Sequence, residues 1–385
     1  MPNLRTRLRG RQARANVSRV FPLSPILAAA LVAAAILLAS RLPIPDPIAR
    51  GFRWGTTVTS LGWYLLGVLL GPGLGLLDRD VLVAYAPLLA VAIGWVAARA
   101  GAEVARPGAD RTPWSLARVL EAIGAFLVPA VLLAGAARWL MAPTIEQWRV
   151  IGPAIVTLAA ALALAGTGNP RRVLVGSFIL ALAAIVTVLL PHPSRTELKR
   201  LGIAVAIAIA GAGLCTAIAA RFARHASILP ETIAALCLAA GIGAVSRVSS
   251  LVVCGIVGFT LARRSLPHEH LAAELRIHEP VAAAIVWLLA GATFGGPLAI
   301  VGLATGLVAL WPLGRRLIGG ASELDSTLGL AIAMGFALTA GAGLGDWTRA
   351  VPTIAALGFL LVRVIPITRA VEPLTPPARP VEVSA

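Results

Sequence analysis

The chain has 385 residues, 58% apolar and only 13% charged, with a mean hydropathy of +0.88. That composition argues against a water-soluble globular domain of this size and predicts a polytopic membrane protein, because apolar runs near the roughly 20 residues needed to cross a hydrocarbon core recur from end to end. The formal charge of +16, from 33 Lys and Arg against 17 Asp and Glu, falls in joints and tails, where it sets topology and meets anionic membrane lipid; nucleic acid is not its expected partner.

In chain order, residues 1–21 read as a basic N-terminal tail, 22–367 as the transmembrane domain and 368–385 as a Pro-rich C-terminal tail. The first apolar run, 22–40, follows "RTRLRGRQARANVSR" in the manner of a signal peptide, but it is long and "LLASRLPIP" makes a poor cleavage site, so a retained helix is expected. Further spans are predicted at 55–77, 81–98, 115–140, 151–168, 173–191, 201–220, 229–245, 248–262, 279–294, 297–313, 327–344 and 348–367. Several are short, notably 248–262 and 279–294, which suits a transporter core better than a simple bundle. Cys215, Cys237 and Cys254 each sit within an apolar run, where a cysteine packs as a small residue.

Basic residues divide unevenly among the joints. Those after odd-numbered spans, such as Arg99, Arg106, Arg171, Arg172, Arg263, Arg264, Arg315 and Arg316, outnumber those after even-numbered spans, so the odd joints and the C-terminus are expected on the cytoplasmic side. The tail cations Arg5, Arg7, Arg9, Arg11, Arg14 and Arg19 pull the other way, and the majority of joints is taken to prevail.

The stretch "LGWYLLGVLLGPGLGLLDRDVLVAYAPLLAVAIGWVAARAGAEV" resembles the monovalent cation:proton antiporter superfamily, whose early helix breaks at a similar Gly/Pro segment before a charged joint. The resemblance continues through "VSRVSSLVVCGIVGFTLARRS" and "HEPVAAAIVWLLAGATFGG". It implies an all-α membrane protein of about 12 to 13 transmembrane helices, an inverted-repeat antiporter-like fold with two broken crossing helices around the ion site. By position the broken pair is spans 5 and 12: "ALALAGTGNPRRV", with Thr167, Gly168, Asn169 and Pro170, and "GFALTAGAGLGD", with Thr339, Gly341, Gly343 and Gly345. Gly71, Pro72, Gly73 and Gly75 are expected to let span 2 end loosely and reorient against a moving core. The helix after span 5, "VLVGSFILALAAIVTVLLP", departs from the family in lacking the ion-binding aspartates and offers only Ser177 as a strong polar group.

Other candidates come from the residues themselves. Glu121 in "ARVLEAIGAFLVPA" is an acid within an apolar run, hence a functional suspect, with a pairing to Arg118 one turn back as the plain alternative. Glu279, between His278 and Pro280, opens span 10, where a helix N-terminus is sufficient explanation and gating the alternative. Asp346, beside Trp347 and Arg349, reads as an interfacial anchor or a pathway mouth. In "PHEHLAAELRIHEP", His270, Glu274 and His278 recur every four residues on one helical face; pH sensing or a metal is one reading, an amphipathic linker on the membrane the preferred one, and no metal site is expected. Asn169 before Pro170 is the strongest single site residue, since Asn-Pro interrupts a helix and exposes carbonyls.

No Walker loop, His-rich metal motif or Ser-His-Asp set is present, so neither an enzyme nor a cofactor is expected. The expected function is secondary transport: exchange of a monovalent cation, Na⁺ or K⁺, for protons by alternating access in a bacterial inner membrane, with Thr167, Asn169, Ser177, Glu121 and Thr339 on the pathway. The resemblance implies a homodimer. The alternatives are a non-transporting scaffold that keeps the fold and a carrier of a neutral or anionic solute.

Overall fold

The computed structural model describes residues 54–77, 83–105, 116–141, 143–165, 228–246, 249–264, 268–296, 298–317, 326–340 and 347–364, with isolated positions between 199 and 217. The described residues form helices joined by short turns, and no strand occurs among them. The α-helices are α1 (Trp54–Val68), α2 (Ala86–Ala105), α3 (Leu116–Met141), α4 (Ile145–Ala165), α5 (Ile228–Ser246), α6 (Ser250–Arg264), α7 (His268–Ala292), α8 (Leu298–Leu317), α9 (Ser326–Ala340) and α10 (Trp347–Val364). Both sequence-predicted tails, and with them the domain boundaries, lie outside the described residues.

Leu, Ala, Ile, Met and Phe between Thr327 and Thr339 make α9 helical and leave it no charged face, so it lies at the centre, buried at every position from Ser326 to Phe336. It packs on α4, α10, α2, α7 and α6. Spans 5 and 12 of the sequence reading therefore lie against each other, with Gly329 of α9 beside the Ala161 carbonyl of α4. Whether either helix breaks there is not described, because Thr167, Asn169 and the glycines from Gly341 to Gly345 lie outside the described residues.

The most extensive contact joins α2 and α6, and small residues make it close. Gly94 lies under the Cys254 thiol, a methyl on Gly258 would strike the Ala98 carbonyl, and one on Gly101 would strike the Gly255 carbonyl. Contacts that advance together from Gly94 with Cys254 to Gly101 with Phe259 make the two helices parallel. This backbone approach is the kind that small residues spaced four apart permit between apolar helices.

The "GPG" segment after α1 differs from its expectation. The chain passes from α-helix into a π-helical turn at Leu69–Gly73, because Pro72 has no N–H and the register widens around it. The Leu74 N–H then donates to the Leu69 carbonyl at 2.7 Å, the Leu76 and Leu77 N–H groups both donate to the Leu70 carbonyl at 2.9 Å, and Gly75 takes φ +65°. The end of span 2 is not loose: Gly71 is buried against the backbone of Ala292, and Gly67 one turn earlier lies against the Leu288 carbonyl.

At its C-terminus α7 closes on α10. Gly296 adopts φ +118°, and the buried Thr353 hydroxyl accepts from the Gly295 N–H at 3.2 Å while donating to the Arg349 carbonyl at 2.8 Å.

Candidate functional site

Two helices among the described residues, Ala86–Glu103 within α2 and Leu275–Ala292 within α7, are long and apolar enough to cross a membrane. Each of these stretches is 18 residues, about 27 Å of helix at 1.5 Å per residue. The other described helices contain shorter apolar stretches, such as Ser60–Gly73, Gly124–Trp139 and Ser326–Leu338. Where side chains face outward they are repeatedly large and apolar: Leu127, Val131, Leu132 and Trp139 on α3, Leu65 on α1, Leu69 in the π-helical turn, Leu310 on α8.

The charge among these helices converges where α2 meets α7. Trp95, Arg99 and Glu103 recur every four residues and so share one face of α2. Opposite them α7 presents Leu275, Arg276, His278 and Glu279. Arg99 Nη1 donates to Glu279 Oε2 at 3.0 Å, with the side chains 15% and 19% exposed. Beside this pair, the Trp95 indole N–H donates to the Leu275 carbonyl at 2.9 Å, and the Trp95 ring meets His278 edge to face with centroids 6.1 Å apart. Toward the surface Arg276 reaches Glu103 Oε1 at 2.9 Å through Nη2 and 3.3 Å through Nε. The inner pair is thus mostly withdrawn from solvent and tied to an aromatic wall, while the outer one has an exposed guanidinium.

Two features of this cluster correct sequence expectations. Glu279 does not begin a helix: α7 starts at His268, runs unbroken through "HEHLAAELRIH" and carries Pro280 in its interior, so N-terminal placement does not explain the carboxylate. Arg99 is not in a joint: α2 continues to Ala105, which brings a cation assigned to topology into the helix packing. A four-residue period of Trp95, Arg99 and Glu103 was the available signal, obscured by ending the span at residue 98.

The remaining candidates are placed less fully. Glu121 lies in α3, Thr339 in α9, and His270 and Glu274 in α7, but their side chains lie outside what is described. Thr167, Asn169, Ser177 and Asp346 fall outside the described residues altogether. No group of three or more His, Cys, Asp and Glu close enough to hold a metal occurs among the described residues. Only His278 and Glu279 among the sequence candidates are seen with their surroundings, and their partners Arg99 and Trp95 were not among those candidates.

No known protein family matches the chain, and no curated protein matches it.

Proposed function

We propose that this chain is a multi-pass protein of a bacterial inner membrane and a secondary transporter that exchanges a monovalent cation for protons by alternating access. Three features support the membrane part: the 58% apolar composition, the large apolar side chains turned outward on several helices, and the parallel packing of α2 and α6. Parallel neighbours in a chain that crosses back and forth need an odd number of crossings between them, and spans 4 to 8 of the sequence reading supply one. An inverted repeat with crossing broken helices is the architecture we propose, supported by the contact of α4 with α9.

One observation carries the transport reading: the Arg99–Glu279 pair, 3.0 Å long and largely buried between the two helices that are long enough to span a membrane. A charge within apolar helices is costly, and one retained there is a functional site by default. Glu279 supplies a carboxylate that can exchange a proton, the chemistry for which the helix after span 5 has no group. Arg99 holds it in place, and Trp95 with His278 walls the pair on one side.

The test is proton movement in proteoliposomes carrying an interior pH dye, with pulses of Na⁺, K⁺ or Li⁺ outside. A saturable, cation-dependent pH change that Glu279→Gln abolishes is the expected result. Folded, inserted protein that answers no cation overturns the exchange reading in favour of a scaffold or a carrier of another solute.

A further inference from the structure

Tyr64 of α1 and Trp287 of α7 meet edge to face, with ring centroids 6.4 Å apart and planes at 86°. They are 2% and 0% exposed, and among the described residues neither the Tyr64 hydroxyl nor the Trp287 indole nitrogen has a hydrogen-bond partner. Both atoms are sealed by surrounding protein, so this packing leaves no room for a water molecule against either. Enclosed polar groups are nearly always paired, and two orphans on touching rings at one helix crossing call for a physical cause.

The crossing that seals them is lined by glycine. Gly67 lies against the Leu288 carbonyl, Gly71 against Ala292 and Gly291 against the Tyr64 carbonyl, so backbone meets backbone along the crossing. Parting these surfaces costs their dispersion contacts and the apolar burial around the rings, against which it restores hydrogen bonds to two donors that the closed packing denies. The π-helical turn at Leu69–Gly73, docked on Ala292 through Gly71, belongs to the same closed packing.

We infer that the α1–α7 crossing is a hydration gate: the packing described is its closed state, and it opens to admit water to the Tyr64 hydroxyl and the Trp287 indole N–H. The inference deepens the alternating-access reading and rests on it for its role, but opening is measurable without transport.

The experiment uses the full chain with Cys215, Cys237 and Cys254 replaced by Ala and a single reporter, Leu288→Cys, at a position 0% exposed in the closed packing. In proteoliposomes a membrane-impermeant thiol reagent reaches this cysteine only through water. Labelling is expected, and Tyr64→Phe, which keeps the ring but removes one reason to open, is expected to slow it roughly fivefold and to raise the thermal midpoint. No labelling in either background, equal rates in both, or a midpoint lowered by Tyr64→Phe overturns the gate. If Leu288→Cys does not fold, deuterium exchange over residues 285–292 of the otherwise unaltered chain decides the matter: protection must rise in Tyr64→Phe, and unchanged protection is the contrary result. A protein that labels as expected but moves no cation keeps the gate and loses the exchange reading. One that exchanges cations but labels equally in both backgrounds does the reverse.

Discussion

Arg99 of α2 and Glu279 of α7 stand 180 residues apart in the chain and 3.0 Å apart in the fold. Their side chains are 15% and 19% exposed, so removing one partner leaves a charge largely cut off from water. Arg99→Met or Glu279→Leu alone should lower stability in detergent by about 3 kcal/mol, while the double substitution Arg99→Met, Glu279→Leu should recover most of that loss. A double-mutant cycle read by thermal unfolding checks it; two independent, additive losses would mean that the pair does not act as a unit.

The neighbouring Arg276–Glu103 pair provides the contrast. Its arginine side chain is 60% exposed, and exposed pairs contribute about 0.2 to 1 kcal/mol that salt screens. Glu103→Gln should therefore shift the midpoint little, and less still at high ionic strength. A loss comparable to that of Glu279→Leu would show that the outer pair is as withdrawn from solvent as the inner one.

Glycines at helix crossings should tolerate nothing larger. A methyl on Gly291 would strike the Tyr64 carbonyl, and one on Gly258 the Ala98 carbonyl, so either Gly→Ala change should cost about 1 to 3 kcal/mol through overpacking. Gly241 of α5 has open space where its methyl would point, and Gly241→Ala should be neutral or stabilising by up to about 1 kcal/mol. Thermal midpoints of the three variants, measured side by side, decide whether these crossings are as close as described.

Thr353→Val should destabilise by about 1 to 3 kcal/mol, because it keeps the side-chain shape but strips the Gly295 N–H of its acceptor in a partly buried turn. Thr353→Ser retains the hydroxyl and should lose less. No loss in Thr353→Val together with a loss in Thr353→Ser would assign the effect to the methyl group rather than to the hydrogen bond.

The sequence made some of this legible and hid the rest for identifiable reasons. Apolar runs located α1 through α10 because each helix needs an apolar face or core, and that requirement is written in local composition. Helix ends were harder. Arg99 and Glu279 looked like span boundaries because a charge usually marks one, and only a partner on another helix makes a charge tolerable inside. The "LLGPG" break was visible as Gly and Pro, but its docking on Ala292 depends on a helix more than 200 residues away.

By itself, then, the sequence determined that the chain is strongly apolar, helix-forming and interrupted by Gly and Pro at particular points, since those properties follow from each residue and its near neighbours. The tertiary structure alone decided that Trp95, Arg99 and Glu103 face Leu275, Arg276, His278 and Glu279, that α2 runs parallel to α6, and that the polar atoms of Tyr64 and Trp287 are enclosed where α1 crosses α7. The physical reason is range: periodicity fixes which residues share a helical face, whereas the choice of opposing face is made by close packing and charge pairing between segments far apart in the chain.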